Sequence, residues 1–260
     1  GNFGTGLDVI RHQMSPFDYL GTQGNRSGAQ MKGDIWSLCR DANNNVWVGG
    51  ENVISMFSFD RLKQTIDLSN YLSRSFAQVR TLLDDGEGNL WIGTSQGVYC
   101  YKDGRQVAHY TSSNSRLPEG NVYEIYFDST RKGWICTENG VCIWDPSSEK
   151  LRTDIFPEGF IHKEKIRVVY EDSGHNLYFF PDKGSLFISD LSMNSFRRLH
   201  PGTPLEGRDG LFIIEDRKKW LWMGTSDGLF HYDKNDNFIP YNFVDGIPSS
   251  IFTLCPPVCD

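Results

Sequence analysis

The sequence predicts an all-β protein built from repeated four-stranded antiparallel units. Three observations support this prediction. One motif recurs about every 44 residues, short apolar runs rich in β-branched and aromatic residues surround each copy, and no amphipathic stretch is long enough to form a substantial helix. The apolar runs are bounded by Gly, Asn, Asp, Ser and Pro, which favour turns.

The motif is clearest at residues 84–99, which read DDGEGNLWIGTSQGVY. When its copies are aligned on the Gly of Gly-Thr, the anchors fall at positions 4, 49, 93, 136, 180 and 224. Successive steps are 45, 44, 43, 44 and 44 residues. A segment that returns at a fixed period is a structural building block, and four short strands per period of this length predict a β-propeller blade.

Each unit contains four segments, which we name strands A to D in chain order. Strand A precedes the acidic turn, strand B carries Leu-Trp-Ile-Gly, strand C follows the next glycine, and strand D is a weakly patterned edge strand. The apolar runs of strand A lie at 35–38, 79–82, 122–125, 166–169 and 211–214, and a further run at 251–254 begins another copy.

The turn between strands A and B has the pattern Asp-x-x-Gly. We expect Asp to cap the turn backbone and Gly to take a positive φ. The acidic side chains of Asp84 and Glu87, with Asn89, superficially suggest a calcium loop. The last copy places Arg217, Lys218 and Lys219 at the same point, which favours turn chemistry, and no metal or cofactor is predicted.

Strand B carries an aromatic residue in every full copy. Because these residues lie mid-strand between apolar neighbours, we expect them to pack between adjacent blades; an exposed sugar-stacking stripe is the disfavoured alternative. The small residue after the following Ile, usually Gly, suits a crowded strand end. The aromatic residues are Trp47, Trp91, Trp134, Tyr178 and Trp222.

Charge and composition exclude several classes of protein. The 260-residue chain has a formal net charge of -7, which argues against a nucleic-acid-binding surface. No apolar run approaches about 18 residues, so no membrane insertion is expected. The six cysteines form no Cys-x-x-Cys pair, and we expect small buried side chains, with a Cys136–Cys142 disulfide as the open alternative.

The repeats divide the chain into one propeller domain or propeller fragment over residues 1–260. Two arrangements remain open: the terminal pieces form one composite blade that closes a ring of about six, or the chain is an arc of a larger ring. The predicted pieces are a partial blade at 1–26, full blades at about 33–76, 77–120, 121–163, 164–208 and 209–246, and a partial blade at 247–260.

The stretch Leu90-Trp91-Ile92-Gly93-Thr94-x-x-Gly97-Val98, which follows Val79-x-x-Leu82-x-Asp84, resembles the two-component-regulator propeller repeat. The stretch from Leu221 to Leu229 is an equally good copy. WD and kelch repeats fit less well, because their recurring Gly-His, Trp-Asp and Gly-Gly signals are missing. The resemblance implies the periplasmic sensor region of a Bacteroidetes hybrid two-component system, which recognises a glycan or oligosaccharide and signals to a kinase outside this chain.

Ligands of propellers usually bind at the mouth of the central channel, near the loops that lead into strand A. Aromatic rings and Arg side chains there would suit sugars, especially acidic or sulfated ones. Arg80 and Arg167 are the strongest candidates, because an Arg in an apolar strand start needs a partner. Lys165 lies on one of these loops and Phe212 at another strand start. The predicted ligand-binding residues are Trp36, Arg80, Arg116, Tyr123, His162, Lys163, Arg167 and Arg208.

Two other functions compete with ligand sensing. One is a protein-interaction or homodimerisation scaffold, which the sequence does not separate from a sensor. The other is a propeller lyase or glycoside hydrolase, which would need paired carboxylates or a histidine-centred site. The six His are scattered and Glu124 stands alone in its strand, so we expect this segment not to be an enzyme.

Overall fold

A computed structural model describes residues 7–9, 18–20, 34–58, 61–69, 77–154, 156, 163–182, 186–199, 202–235 and 237–241. The predicted site residue His162 and the predicted partial blade at 247–260 lie outside these residues. Most of the predicted partial blade at 1–26 also lies outside them, apart from two short strands.

The described residues contain five four-stranded antiparallel sheets and one two-stranded pair, and no α-helix. In each four-stranded sheet the strands pair in chain order, as the A-to-D pattern predicted. They fall into two compact units that divide after His109, close to the end of β10. We name the sheets blades I to V; blades I and II belong to the first unit and blades III to V to the second.

The strand bounds follow the repeat. The two-stranded pair is β1 (Leu7–Val9) with β2 (Asp18–Leu20); blade I is β3 (Ser37–Arg40), β4 (Val46–Gly49), β5 (Val53–Ser58) and β6 (Arg61–Asp67); blade II is β7 (Val79–Asp84), β8 (Asn89–Thr94), β9 (Gly97–Lys102) and β10 (Arg105–Tyr110). Blade III is β11 (Val122–Phe127), β12 (Gly133–Thr137), β13 (Gly140–Asp145) and β14 (Lys150–Arg152); blade IV is β15 (Ile166–Glu171), β16 (Asn176–Pro181), β17 (Phe187–Asp190) and β18 (Phe196–Arg198); blade V is β19 (Gly210–Glu215), β20 (Leu221–Thr225), β21 (Gly228–Tyr232) and β22 (Phe238–Tyr241).

The hydrophobic cores lie between successive blades of each unit. Trp134 of blade III is fully buried against Ile166, Val169 and Phe179 of blade IV. Its ring meets Phe179 edge-on, with 5.1 Å between the ring centroids. The predicted packing of strand-B aromatics between blades is therefore confirmed here. Trp222 of blade V differs, because it remains partly exposed and stacks on His231.

The acidic turn is the most regular feature of the repeat. In blade III, Asp128 accepts hydrogen bonds from the backbone N–H of Thr130 (2.9 Å) and Lys132 (3.1 Å) and from Nε1 of Trp134 (2.9 Å). Blade IV has the same arrangement, with the hydroxyl of Tyr178 donating to Asp172 at 2.9 Å. One carboxylate thus fixes the turn and the orientation of the buried aromatic ring six residues later, which confirms the predicted capping role.

The predicted positive φ occurs three residues after the turn Asp, but Gly occupies that position only in blade II. Gly88 has φ 85°, whereas Asn44, Arg131, His175 and Lys219 have φ 62°, 70°, 61° and 68°. A left-handed backbone costs a residue other than Gly about 1 kcal/mol. The expectation of Gly in this turn was therefore wrong for four blades, which tolerate the less favourable conformation.

We expect Lys219→Gly to raise the free energy of unfolding by about 0.5–1 kcal/mol, because it relieves this backbone cost. The lost contact of Lys219 with Glu215, at 4.0 Å, is exposed and should contribute little. The reciprocal variant Gly88→Ala should destabilise, since φ is 85° there although no atom obstructs a Cβ. Urea unfolding of both variants checks this expectation, and a stabilising Gly88→Ala would contradict it.

A second polar contact joins adjacent blades at the same turn. The carboxylate of Glu171 accepts from the backbone N–H (2.6 Å) and hydroxyl (2.7 Å) of Ser129 in the preceding blade. Glu215 makes the same contacts with Ser173, at 3.0 and 3.1 Å. In the first unit, Asp84 accepts from the N–H of Ala42 at 2.9 Å. The residue before the turn Asp therefore links successive blades.

The fifth copy departs from the motif, and a substitution in the next blade compensates. Phe180 stands where the anchor Gly is expected, and β16 nevertheless continues to Pro181. The A strand of the following blade begins with Gly210, where a Cβ would lie 2.3 Å from the Phe180 ring. In the first unit the small residue is on the earlier blade instead, because a Cβ on Gly49 would lie 2.5 Å from Val79. A large side chain on one blade is thus matched by Gly on its neighbour.

The described cysteines are buried and free: Cys39, Cys100, Cys136 and Cys142. Cys136 pairs in register with Val141, and Cys142 pairs with Ile135, so the two thiols do not lie directly opposite each other. Burial raises the pKa of both thiols, which keeps them protonated. The alternative of a Cys136–Cys142 disulfide is therefore wrong.

Candidate functional site

A β-bulge near the start of strand A sets the predicted site residues apart from the regular ladder. The register shifts between Val79 and Thr81, and between the equivalent residues in blades III, IV and V. The extra residues are Arg80, Tyr123, Arg167 and Leu211. A bulged residue leaves the strand pairing and its side chain is re-aimed, which is a common device beside binding sites. Three of these four residues, all except Leu211, are among the predicted ligand-binding residues.

In the second unit, the bulges bring two predicted residues together. The guanidinium carbon of Arg167 lies 5.2 Å from the ring centroid of Tyr123. The amine of Lys165 lies 5.1 Å from the same ring. Asp182 holds both cations, with 2.6 Å between its Oδ1 and Nε of Arg167 and 3.0 Å between its Oδ2 and Nζ of Lys165. Asp209 completes the group, with its Oδ2 3.4 Å from Nη2 of Arg167.

We call Tyr123, Lys165, Arg167, Asp182 and Asp209 the Tyr123 cluster. Burial alone would raise the pKa of Asp182, but hydrogen bonds from Arg167 and Lys165, together with Asp209, lower it to about 2. The two cations and two carboxylates cancel in formal charge at neutral pH. Their side chains are between 14% and 26% exposed, so the cluster contacts both protein and solvent. It contains hydrogen-bond donors, acceptors and an aromatic ring.

In the first unit, Trp36 and Arg80 form a smaller pair. The guanidinium carbon of Arg80 lies 5.4 Å from the Trp36 ring centroid, and its Nη2 donates to the side-chain oxygen of Gln78. An Arg at this strand start was expected to need a partner. The partners of Arg80 include the Trp36 ring and the side-chain amide of Gln78. Trp36 is itself fixed by a backbone hydrogen bond from its N–H to the carbonyl of Gly49, at 2.9 Å.

The other predicted residues that the structure describes are not members of the Tyr123 cluster, although Arg208 directly precedes Asp209. Arg208 forms an ion pair with Asp227, and its guanidinium carbon lies 5.3 Å from the Phe230 ring centroid. Arg116 and Lys163 are exposed on their loops. These three residues have the environment of ordinary surface charges, so only Tyr123 and Arg167, and separately Trp36 and Arg80, are brought together.

Sequence reasoning missed Asp182 and Asp209, which come from the loop after β16 and from the residue before β19. No local pattern marks these two positions, because their role depends on pairing with Arg167, 15 and 42 residues away. Phe212 was wrongly placed at the strand-start position. The bulge instead selects Leu211, and the Phe212 ring fills the space beside Gly224.

Glu124 lies on β11, strand A of blade III, and accepts a hydrogen bond from the backbone N–H of Val169, at 2.6 Å. Burial raises its pKa to about 8, although that hydrogen bond partly opposes the change. The residue keeps partial contact with solvent. A neutral carboxyl therefore links strand A of blade III to strand A of blade IV.

Within the described residues, His, Cys, Asp and Glu side chains form no group of three or more that could hold a metal ion. In the same residues there is no helix with the length and hydropathy needed to cross a membrane.

The turn, the strand-B aromatic ring and the inter-blade contacts define one repeat, and residues 31–52 and 73–96 match the family profile for that repeat. These two segments are two-component-regulator propeller repeats. The resemblance inferred from the sequence is confirmed. A curated relative with 23% identity over 224 residues is histidine kinase P4 of Formosa agariphila, and the match covers 79% of this chain and 16% of the relative.

Solved structures with the same fold include extracellular domains of two B. thetaiotaomicron hybrid two-component systems. The BT4673 domain has a TM-score of 0.70 at 20% identity over 88% of this chain, and the BT3049 domain 0.62 at 22% over 92%. The matches cover 30% and 38% of those chains. Virginiamycin B lyase from Staphylococcus aureus gives 0.63 at 16% identity, covering 83% of this chain and 70% of the lyase. These likenesses establish the predicted β-propeller fold.

Proposed function

We propose that this regulator-propeller segment is a ligand-sensing module of a hybrid two-component sensor histidine kinase, located outside the cytoplasm, and that it recognises a saccharide. The observation that carries the proposal is the Tyr123 cluster. An aromatic face beside two cations and two carboxylates is the combination of groups that binds sugar rings and their hydroxyls. The two-component-regulator repeats and the kinase relative support the receptor assignment.

The charge of the cluster narrows the ligand class. Aromatic rings and Arg side chains near strand A were expected to favour acidic or sulfated sugars, but Asp182 and Asp209 neutralise Arg167 and Lys165 in this cluster. A carboxylate facing an anionic sugar is repulsive, whereas both charge types can bind hydroxyl groups. We therefore propose a neutral oligosaccharide as the ligand.

The chain spans 16% of the curated kinase relative, so the other parts of the receptor belong to the proposal. The remaining propeller segments, in the periplasm, would receive the signal first. The kinase, on the other side of an inner membrane, would receive it from them. Homodimerisation and a scaffold role are compatible with the same surface. The segment itself is proposed to be non-enzymatic.

Calorimetric titration of the 260-residue chain with matched neutral and sulfated oligosaccharides tests this function. We expect a neutral oligosaccharide to bind and its sulfated counterpart to bind at least about tenfold more weakly. Absence of binding across the panel would contradict saccharide sensing, and chemical turnover of any glycan would overturn the non-enzymatic assignment.

The variant Asp182→Asn tests the role of charge. It leaves Arg167 and Lys165 with less compensation, so the preference should move toward the sulfated ligand by about fivefold or more. Asp154→Asn is the matched control, because Asp154 pairs with Arg152 at 3.1 Å and neither residue belongs to the Tyr123 cluster. An unchanged preference in Asp182→Asn, or an equal change in the control, would contradict the assigned site.

A further inference from the structure

A groove of about 240 Å³ lies between blades I and II of the first unit, beside the A–B turns. Its apolar and aromatic lining includes Trp47 and Met56 from blade I and Tyr101 from blade II. Met56 is partly accessible, while Trp47 and Tyr101 are 9% and 5% exposed. The groove is large enough for a ligand of about ten non-hydrogen atoms.

The rest of the lining is mainly polar and carries three carboxylates. These are Asp41, Asp84 and Asp103, and the described residues that line the groove include no Lys, Arg or His. Asp41 is held by its own turn through hydrogen bonds from Asn45 and from Nε1 of Trp47, at 2.9 and 3.0 Å. Burial would raise its pKa, but these hydrogen bonds lower it, so Asp41 stays ionised at neutral pH.

The carboxylates differ in how many hydrogen bonds they accept from the protein. Asp84 accepts from the N–H groups of Gly86 and Ala42, at 2.8 and 2.9 Å. Asp103 is exposed, and its carboxylate accepts no hydrogen bond from any described residue. Asp103 is therefore the carboxylate best placed to meet a ligand at the rim.

The second unit contains a groove at the corresponding place with the opposite charge. It has a volume of about 220 Å³ between blades III and IV and is lined by Lys132, Trp134, Arg152 and Met193, with Asp145 near Arg152. The repeat thus creates the groove, while variable residues set its charge. This second groove serves as an internal control for any ligand that simply prefers inter-blade clefts.

We propose that the groove between blades I and II binds a small organic cation, with its ammonium group at the rim beside Asp103 and its apolar body against Trp47, Met56 and Tyr101. The aromatic side chains and the thioether accommodate the body, and the carboxylates attract the positive charge. This site is separate from the Tyr123 cluster and does not depend on saccharide sensing.

The two methionines permit a direct test, because Met56 lines the first groove and Met193 the second. The full chain would be labelled with [¹³C-methyl]methionine and titrated with 2-phenylethylammonium and, separately, with its neutral isostere 2-phenylethanol. The Met56 signal is assigned with Met56→Leu. We expect a saturable shift of Met56 with the cation, a response of Met193 at least about fivefold weaker, and an alcohol affinity lower by a similar factor.

The variant Asp103→Asn keeps the size of the side chain and suits the left-handed backbone at φ 50°. It should raise the dissociation constant of the cation about threefold or more, and Lys132→Gln in the second groove should leave it unchanged. Three results would each overturn the proposal: no saturable Met56 shift, equal affinity for the alcohol, or full affinity in Asp103→Asn.

Discussion

Replacing Asp128 by Ala is expected to lower the free energy of unfolding by about 3 kcal/mol. The residue is 2% exposed and accepts hydrogen bonds from the backbone of Thr130 and Lys132 and from Trp134. Removal of the carboxylate leaves several donors without a partner, and the Trp134 indole N–H among them lies in the core. Each such loss costs about 1 kcal/mol or more where water cannot replace the acceptor.

The same blade provides the control. Asp145 caps the turn between β13 and β14, where it accepts from the N–H of Ser147 at 2.9 Å and the hydroxyl of Ser148 at 3.0 Å. Its donors are exposed, so Asp145→Ala should cost less than about 1 kcal/mol. Denaturant unfolding of both variants measures the difference. If both variants lost the same free energy of unfolding, the hydrogen bond from the buried Trp134 indole to Asp128 would contribute no extra stability.

The second large effect is a loss of stability between about pH 4.5 and pH 8 that depends on Glu124. Burial raises its pKa from the ordinary 4.5 to about 8. Between these values the folded chain holds a proton that the unfolded chain releases, so the free energy of unfolding falls as pH rises and levels off above about 8. Because the side chain keeps some solvent contact, we expect a total of roughly 2–3 kcal/mol rather than the full value of the shift.

Glu124→Gln isolates this contribution. The amide oxygen can accept from the N–H of Val169 as the carboxyl does, but it carries no charge at any pH. The variant should match the parent protein near pH 5 and exceed it in stability near pH 8.5. Unfolding midpoints across this range provide the comparison. Parallel curves for the two proteins would contradict a protonated Glu124.

The regular features of the fold were predictable because they are local and repeated. The aromatic residue of strand B and the turn Asp recur every 43 or 44 residues, so an ambiguous copy can be interpreted by comparison with the others. That comparison also removed the calcium interpretation of Asp84 and Glu87. The acid that precedes the turn Asp recurs as well, in Asp84, Glu171 and Glu215, and this pattern could have revealed the inter-blade contacts.

The site was only partly predictable because its pairing is long-range. The need of Arg167 for a partner followed from its apolar strand, but the identity of Asp182 and Asp209 did not. The strand pattern alone does not predict the β-bulge. Because of this bulge, Leu211 and not Phe212 occupies the position equivalent to Arg167. The exchange of volume between Phe180 and Gly210 is likewise visible only when adjacent blades are packed together.

The central claim is that the residues in which the repeats differ bind the ligand, while the repeated motif holds the blades. The most direct measurement is the dissociation constant of the neutral oligosaccharide for Tyr123→Ala, with the unfolding midpoint recorded in parallel. Loss of the aromatic face should weaken binding at least about tenfold while the midpoint changes little. Full affinity in Tyr123→Ala would contradict the claim and leave the Tyr123 cluster a purely structural contact.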